Sequence, residues 1–131
     1  MAVLANDRGG RLVLRVVLGV VILLHGIAKL KGGIDGITGM VVAHGLPAVL
    51  AYGVYVGEVL APLMLILGFY ARVGGVLIVI NMLIALFLVH RADLLALGPQ
   101  GGWAIELQVM LLGSAIAVAL LGPGKPAIND R

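Results

Sequence analysis

The chain contains no cysteine, which excludes disulfides, thiolate nucleophiles, iron–sulfur ligation and thioether haem attachment. Charge is scarce. Asp, Glu, Lys and Arg make up 11% of the 131 residues, less than half of the roughly 25% usual in soluble domains. Aromatics are 5% and are not interleaved with basic runs, so the net charge of +3 reads as membrane-flanking charge, and no nucleic-acid partner is expected. Strand-type alternation is also missing, which argues against a barrel. What remains is apolar: 62% hydrophobic residues before the 20 glycines are counted, against about 45–50% with glycine included in soluble chains. A soluble domain of this length has too little interior to hide that surface, and a disordered chain would be rich in charge. The expected solvent is a lipid bilayer.

Crossing a hydrocarbon core of about 30 Å takes about 20 mostly apolar residues in a helix. Four stretches qualify: 12–30, 48–69, 73–89 and 103–121. The expected fold is a single all-α membrane domain, a four-transmembrane-helix bundle with a short interfacial helix between helices 1 and 2. Gly45-Leu46-Pro47 breaks the chain before the second span, and Gly122-Pro123-Gly124 closes the fourth, where helix stops belong. Only Tyr70-Ala71-Arg72 separates the second and third spans, which forces an antiparallel hairpin. The 31–47 connection carries Ile34, Met40, Val41 and Leu46, the apolar positions expected to lie along the interface. No internal repeat is found.

Lysine and arginine in short loops set orientation. Arg8, Arg11, Arg15, Arg72, Lys125 and Arg131 fall on one side, and Lys29, Lys31 and Arg91 on the other. Both termini are therefore expected in the cytoplasm, with the protein multi-pass in the cell (inner) membrane. The arginines before the first apolar run look like a signal peptide's charged start, but no small-x-small cleavage site follows, so a retained first helix is expected.

Ionisable residues within spans are costly and are candidate functional groups. They are Arg15, His25 and Lys29 in the first span, Glu58 in the second and Glu106 in the fourth, with Asn81 the uncharged polar member of the third. At 100° per residue, Gly19, Ile22, Gly26 and Lys29 fall within about 40° of Arg15, and His25 about 80° away. Polar groups and glycines thus share one face, and small residues let membrane helices approach closely. Glu58 lies mid-span, and Pro62 at i+4 lacks the amide that would close onto its carbonyl. A freed backbone oxygen and a kink are expected there. A lone buried carboxylate must pair or protonate. Counted from the outer helix ends, Glu58 lies about 15 Å deep, Arg15 about 22 Å and His25 about 8 Å. Arg15 is the expected partner, because a guanidinium stays charged and grips a carboxylate bidentately; such a pair would serve function or fix helix register.

His25, Lys29, His90, Trp103 and Glu106 gather near the outer face. Two histidines and a glutamate are a conceivable metal set, or two histidines a b-type haem set. No spacing motif supports either, and His90 and Trp103 sit where interfacial residues normally do, so no metal and no intrinsic cofactor is expected. Asn81 shares a face with Gly74, Ile78 and Ala85, and Glu106 with Gly113 and Ala117, patterns that read first as packing seams.

Taken in order, Arg15…Gly19…His25-Gly26-x-x-Lys29, Gly45-Leu46-Pro47, Glu58-(x)9-Gly68-x-x-x-Arg72 and a methionine-containing third span ending in His90 resemble the DoxX family of small four-helix membrane proteins over about residues 11–121. Ala61-Pro62 departs from the glycine pair that members often carry after the glutamate. The resemblance implies an inner-membrane bundle. The family takes its name from subunits of a thiosulfate:quinone oxidoreductase, other members are linked to oxidative-stress complexes, and Arg15, His25, Lys29 and Glu58 match its polar set. Two functions follow as expectations. One is a quinone-interacting membrane subunit of a redox assembly, with a partner enzyme or a second copy of the chain. The other is a structural scaffold or small-solute transporter without a redox role. No nucleophile–base pair or phosphate-cradling loop points to a soluble hydrolase.

Overall fold

The structure, a computed structural model, describes residues 6–88 and 91–131. The candidate His90 and the last residue of the expected third span lie outside the described residues. Among the described residues the regular elements are helical, apart from an isolated antiparallel bridge between Leu97 and Trp103. We label the helices α1 (Asp7–Gly32), α2 (Asp35–Ala43), α3 (Ala48–Leu67), α4 (Ala71–Leu88) and α5 (Glu106–Leu121). By length and composition α1, α3 and α4 can each cross a membrane.

Helix α1 begins earlier than its apolar run because the Asn6 side chain accepts from the Gly9 amide at 2.8 Å, an N-cap that satisfies one of the orphan donors of the first turn. Helix α5 begins at Glu106, three residues later than expected. The Trp103 indole N–H donates to the Leu94 carbonyl at 2.7 Å and the Ala104 amide to the Ala96 carbonyl at 3.0 Å, so this stretch is held in a hairpin-like loop. With 16 residues, α5 is about 24 Å long at 1.5 Å per residue.

Helix α3 is not uniform. It starts as a 3-10 segment at Ala48–Tyr52, becomes α at Gly53–Tyr55, widens into a π turn at Val56–Leu60 and returns to α over Ala61–Leu67. Its end is closed by Gly68 in the left-handed conformation (φ 70°), with the Phe69 amide donating to the Met64 carbonyl at 2.9 Å. This Schellman-type stop suits glycine, which pays no Cβ penalty there. The hairpin into α4 follows at once, as expected from the short connection.

The core holds Leu18 and Ile22 of α1, Ala61 and Leu65 of α3, Ile78 and Met82 of α4, and Leu111, Ala115 and Val118 of α5. Small residues set the spacing, as membrane helix contacts require. Gly19 lies against the Pro62 carbonyl, and Gly75 against the Ala115 carbonyl. A second apolar cluster joins Ile34 and Val41 to Ala51, with Ile37, Val54, Tyr55 and Leu88 packed on it. Through it α2 turns its apolar face onto the start of α3 and the end of α4. Val13, Val17 and Leu24 of α1 and Ile80, Leu83 and Ile84 of α4 are exposed, the outward stripes that acyl chains would cover.

The C-terminal segment folds back over the opposite end. The Ile128 amide donates to the Leu67 carbonyl and the Asn129 amide to the Gly68 carbonyl, both at 3.2 Å, while the Asn129 side chain accepts from the Tyr70 amide at 3.0 Å. Gly124 abuts Arg8 and Arg11. The start of α1, the C-terminal segment and the 68–72 turn therefore share one end of the bundle, as the charge pattern implies.

Candidate functional site

The π turn is the local event that builds the site. The Ala61 amide donates to the Val56 carbonyl, five residues back, and Pro62 has no amide to give. The carbonyls of Gly57 and Glu58, which an α-helix would bond to residues 61 and 62, lose those partners. The expected kink is thus resolved as a π turn, a feature that re-aims side chains and recurs at functional sites. Gly26 of α1 packs directly on the released Glu58 carbonyl, and a Cβ there would overlap that oxygen. Gly57 is equally tight against Asn81 of α4, where a Cβ would come within 2.5 Å of the side chain.

These contacts bring three helices onto one carboxylate. Glu58 is 5% exposed. Its Oε1 takes the Lys29 ammonium at 2.5 Å, and its Oε2 accepts from the Asn81 amide nitrogen at 3.2 Å. Charge-assisted bonds of this kind are the strong ones. The Lys29 side chain stays 29% exposed, so the pair is joined to a space beyond it.

That space is a cavity of about 610 Å³, within the roughly 300–1,000 Å³ typical of small-molecule sites. All five helices line it. Its polar groups are His25, Lys29, Glu58, Asn81 and Gln108, and the rest of the wall is apolar, including Ile22, Met40, Val41, Val54, Leu77 and Leu111. The cavity is open and not sealed: Leu50, Val56, Ile80, Ile84 and Leu107 of its wall are each about half exposed. His25 is exposed, and its Nδ1 donates to the Val21 carbonyl at 2.9 Å, because a carbonyl can only accept. Nε2 is then the acceptor nitrogen available to a ligand.

The expected Arg15–Glu58 pair does not form. Arg15 is 1% exposed and spends its guanidinium on backbone carbonyls. Nε donates to Pro123 at 2.6 Å, Nη1 to Leu65 at 2.6 Å and Ile66 at 3.0 Å, and Nη2 to Pro126. The Leu65 and Ile66 carbonyls belong to the last turn of α3, where carbonyls lack helical partners and the helix dipole favours a cation. The error was one of stagger. Gly26 touches Glu58, so the two are level. Lys29 is then one turn away, and Arg15, eleven residues back along α1, is about 16 Å away. Depths counted from helix ends treated as flush cannot reveal this.

Of the remaining candidates, Glu106 is exposed at the start of α5, its carboxylate folded against Gly102. Among the described residues no group of three or more His, Asp or Glu is placed to hold a metal. The cavity also takes Gln108 from α5, an uncharged side chain that the cost of burying charge does not single out. Gln108 lies on the α5 face that carries Leu111 and Ala115, a signal available in the pattern.

The DoxX family model matches residues 10–91, more than half of the chain. The chain belongs to the DoxX family. The match includes Lys29, Glu58 and Asn81 and leaves out α5 and the C-terminal segment. This DoxX protein is also 30% identical over 113 residues to a Bacillus subtilis (strain 168) protein named "Putative oxidoreductase CatD", an alignment covering 86% of this chain and 79% of that protein. No solved structure matches. The chain is therefore a multi-pass DoxX membrane protein.

Proposed function

We propose that this DoxX protein binds the headgroup of a membrane quinone in the cavity beside Glu58, as the membrane subunit of a redox or oxidative-stress assembly. The observation that carries this reading is the convergence of Lys29, Glu58 and Asn81 on the wall of an open, otherwise apolar cavity. A quinone carbonyl needs donors, which the Lys29 ammonium and the Asn81 and Gln108 amides supply. The hydroxyl of the reduced form needs an acceptor, which the Glu58 carboxylate supplies. The half-exposed apolar wall gives an isoprenoid tail a path into the hydrocarbon. The name of the Bacillus relative agrees with a redox setting. A partner protein delivers or removes the electrons. In this reading α1, α3, α4 and α5 form a four-span bundle in the cell membrane, α2 lies along the outer interface, and the termini are cytoplasmic.

Thermal unfolding of the purified chain in mild detergent, with and without a short-chain quinone, tests the proposal. A saturable rise in Tm is expected, and Glu58→Gln, which keeps the side-chain shape, should fold but lose most of that rise. A flat response in the unsubstituted protein overturns quinone binding. If Glu58→Gln instead unfolds and no variant separates ligand response from folding, the polar cluster is a scaffold element.

A further inference from the structure

We propose that the 94–103 segment between α4 and α5 is seated in the membrane, at the boundary between headgroups and acyl chains in the leaflet opposite the termini. The segment has the surface of an anchor. Leu95 is 99% exposed and Leu97 73%, and Leu94 and Trp103 are 41% exposed. From Leu94 to Ile105 there is no charged residue, and Gln100 carries the one polar side chain besides the indole. An aqueous loop of this composition would hold four large apolar side chains in water, at about 25 cal/mol for each Å² of apolar surface left uncovered.

Two further observations point to lipid as the cover. Non-helical backbone at membrane depth must have its polar groups satisfied within the protein. Here the Ala96 amide donates to Asp93, Gly98 to Gly102, Gly101 to Gly98 and Ala104 to Ala96, at 2.6 to 3.0 Å, and the Trp103 indole N–H takes the Leu94 carbonyl. The turn thus pairs these four amides and the indole internally while it displays its leucines. The second observation is length. Helix α5 has 16 residues, about 24 Å, and leaves a shortfall of about 6 Å against a hydrocarbon core of about 30 Å. An apolar segment at its N-terminal end fills that gap. Glu106, at the junction, keeps its carboxylate against Gly102 at the start of the helix, where the dipole favours negative charge. Trp103 then takes the interfacial position that its amphipathic ring prefers.

Trp103 is the sole tryptophan of the chain, so it reports on this segment alone. The full chain is reconstituted into phosphatidylcholine–phosphatidylglycerol vesicles, and its fluorescence is measured with lipids brominated at different acyl depths and with aqueous iodide. Strong quenching by shallow bromines, weaker quenching by deep bromines and little quenching by iodide are expected. Leu95→Asp should lose most of the bromolipid quenching and gain iodide access. Its Tm in detergent should not change, because the Leu95 side chain packs on almost nothing. Absence of bromolipid quenching in the unsubstituted protein, or quenching that Leu95→Asp leaves unchanged, overturns the proposal.

Discussion

Arg15 and Glu58 are the buried charged residues of the described bundle, and its two ends treat them in opposite ways. At the end with the termini, Arg15 is enclosed by four main-chain carbonyls from the last turn of α3 and the C-terminal segment. Among the described residues no other side chain shares in that arrangement, which ties the end of α3 to the C-terminal segment. At the other end, Glu58 is held by two side chains from two other helices, one of them partly exposed, beside an open cavity. A charge satisfied by backbone is fixed with the fold. A charge satisfied by side chains at a cavity can exchange partners with a ligand. The contrast teaches that burial alone does not mark a site; the kind of partner does.

Substitutions at the two ends sharpen this contrast. Arg15→Met should have the largest effect, because it takes the guanidinium from four main-chain carbonyls, of which Leu65 alone keeps a second donor, the Gly68 amide at 3.2 Å. A loss on the order of 3–5 kcal/mol is expected, read as a lower Tm in detergent, with the quinone response intact in whatever fraction stays folded. Arg15→Lys should recover only part of it, since one ammonium cannot span the four acceptors. A variant as stable as the parent would end the distinction between the ends. Gly26→Val comes next. Its side chain overlaps the Glu58 carbonyl, and pushing α1 away from α3 should cost about 2–3 kcal/mol. Unlike Arg15→Met, it should also abolish the quinone-dependent rise, because Lys29 is carried away from Glu58. Asn81→Leu should be the mildest, about 1 kcal/mol for one lost hydrogen bond, while weakening quinone affinity measurably by titration of the Tm shift. An affinity equal to the parent's would remove Asn81 from the site.

Much of the site was legible because its signals are local. Glu58 in an apolar run and Pro62 four residues later together say that a carboxylate and a free carbonyl occur at one depth, whatever surrounds them. The α1 face bearing Gly19, Gly26 and Lys29 follows from helical geometry alone. The Arg15 latch was not legible, since its acceptors are backbone carbonyls that every residue carries. The cavity was only half legible: α2 supplies Ile37, Met40 and Val41 to its wall, and the pattern that identifies a short apolar helix does not say what lies beneath it.

Composition fixed the medium, the helical class and the residues too polar to face lipid, because these depend on transfer free energies summed along the chain. Which cation meets Glu58 was settled by the stagger of α1 against α3. That stagger comes from two glycines of α1, Gly26 resting on the Glu58 carbonyl and Gly19 on the Pro62 carbonyl, and a slip of a single turn, about 5.4 Å, would move Lys29 off the carboxylate while leaving every helix unchanged in sequence, length and apolar character.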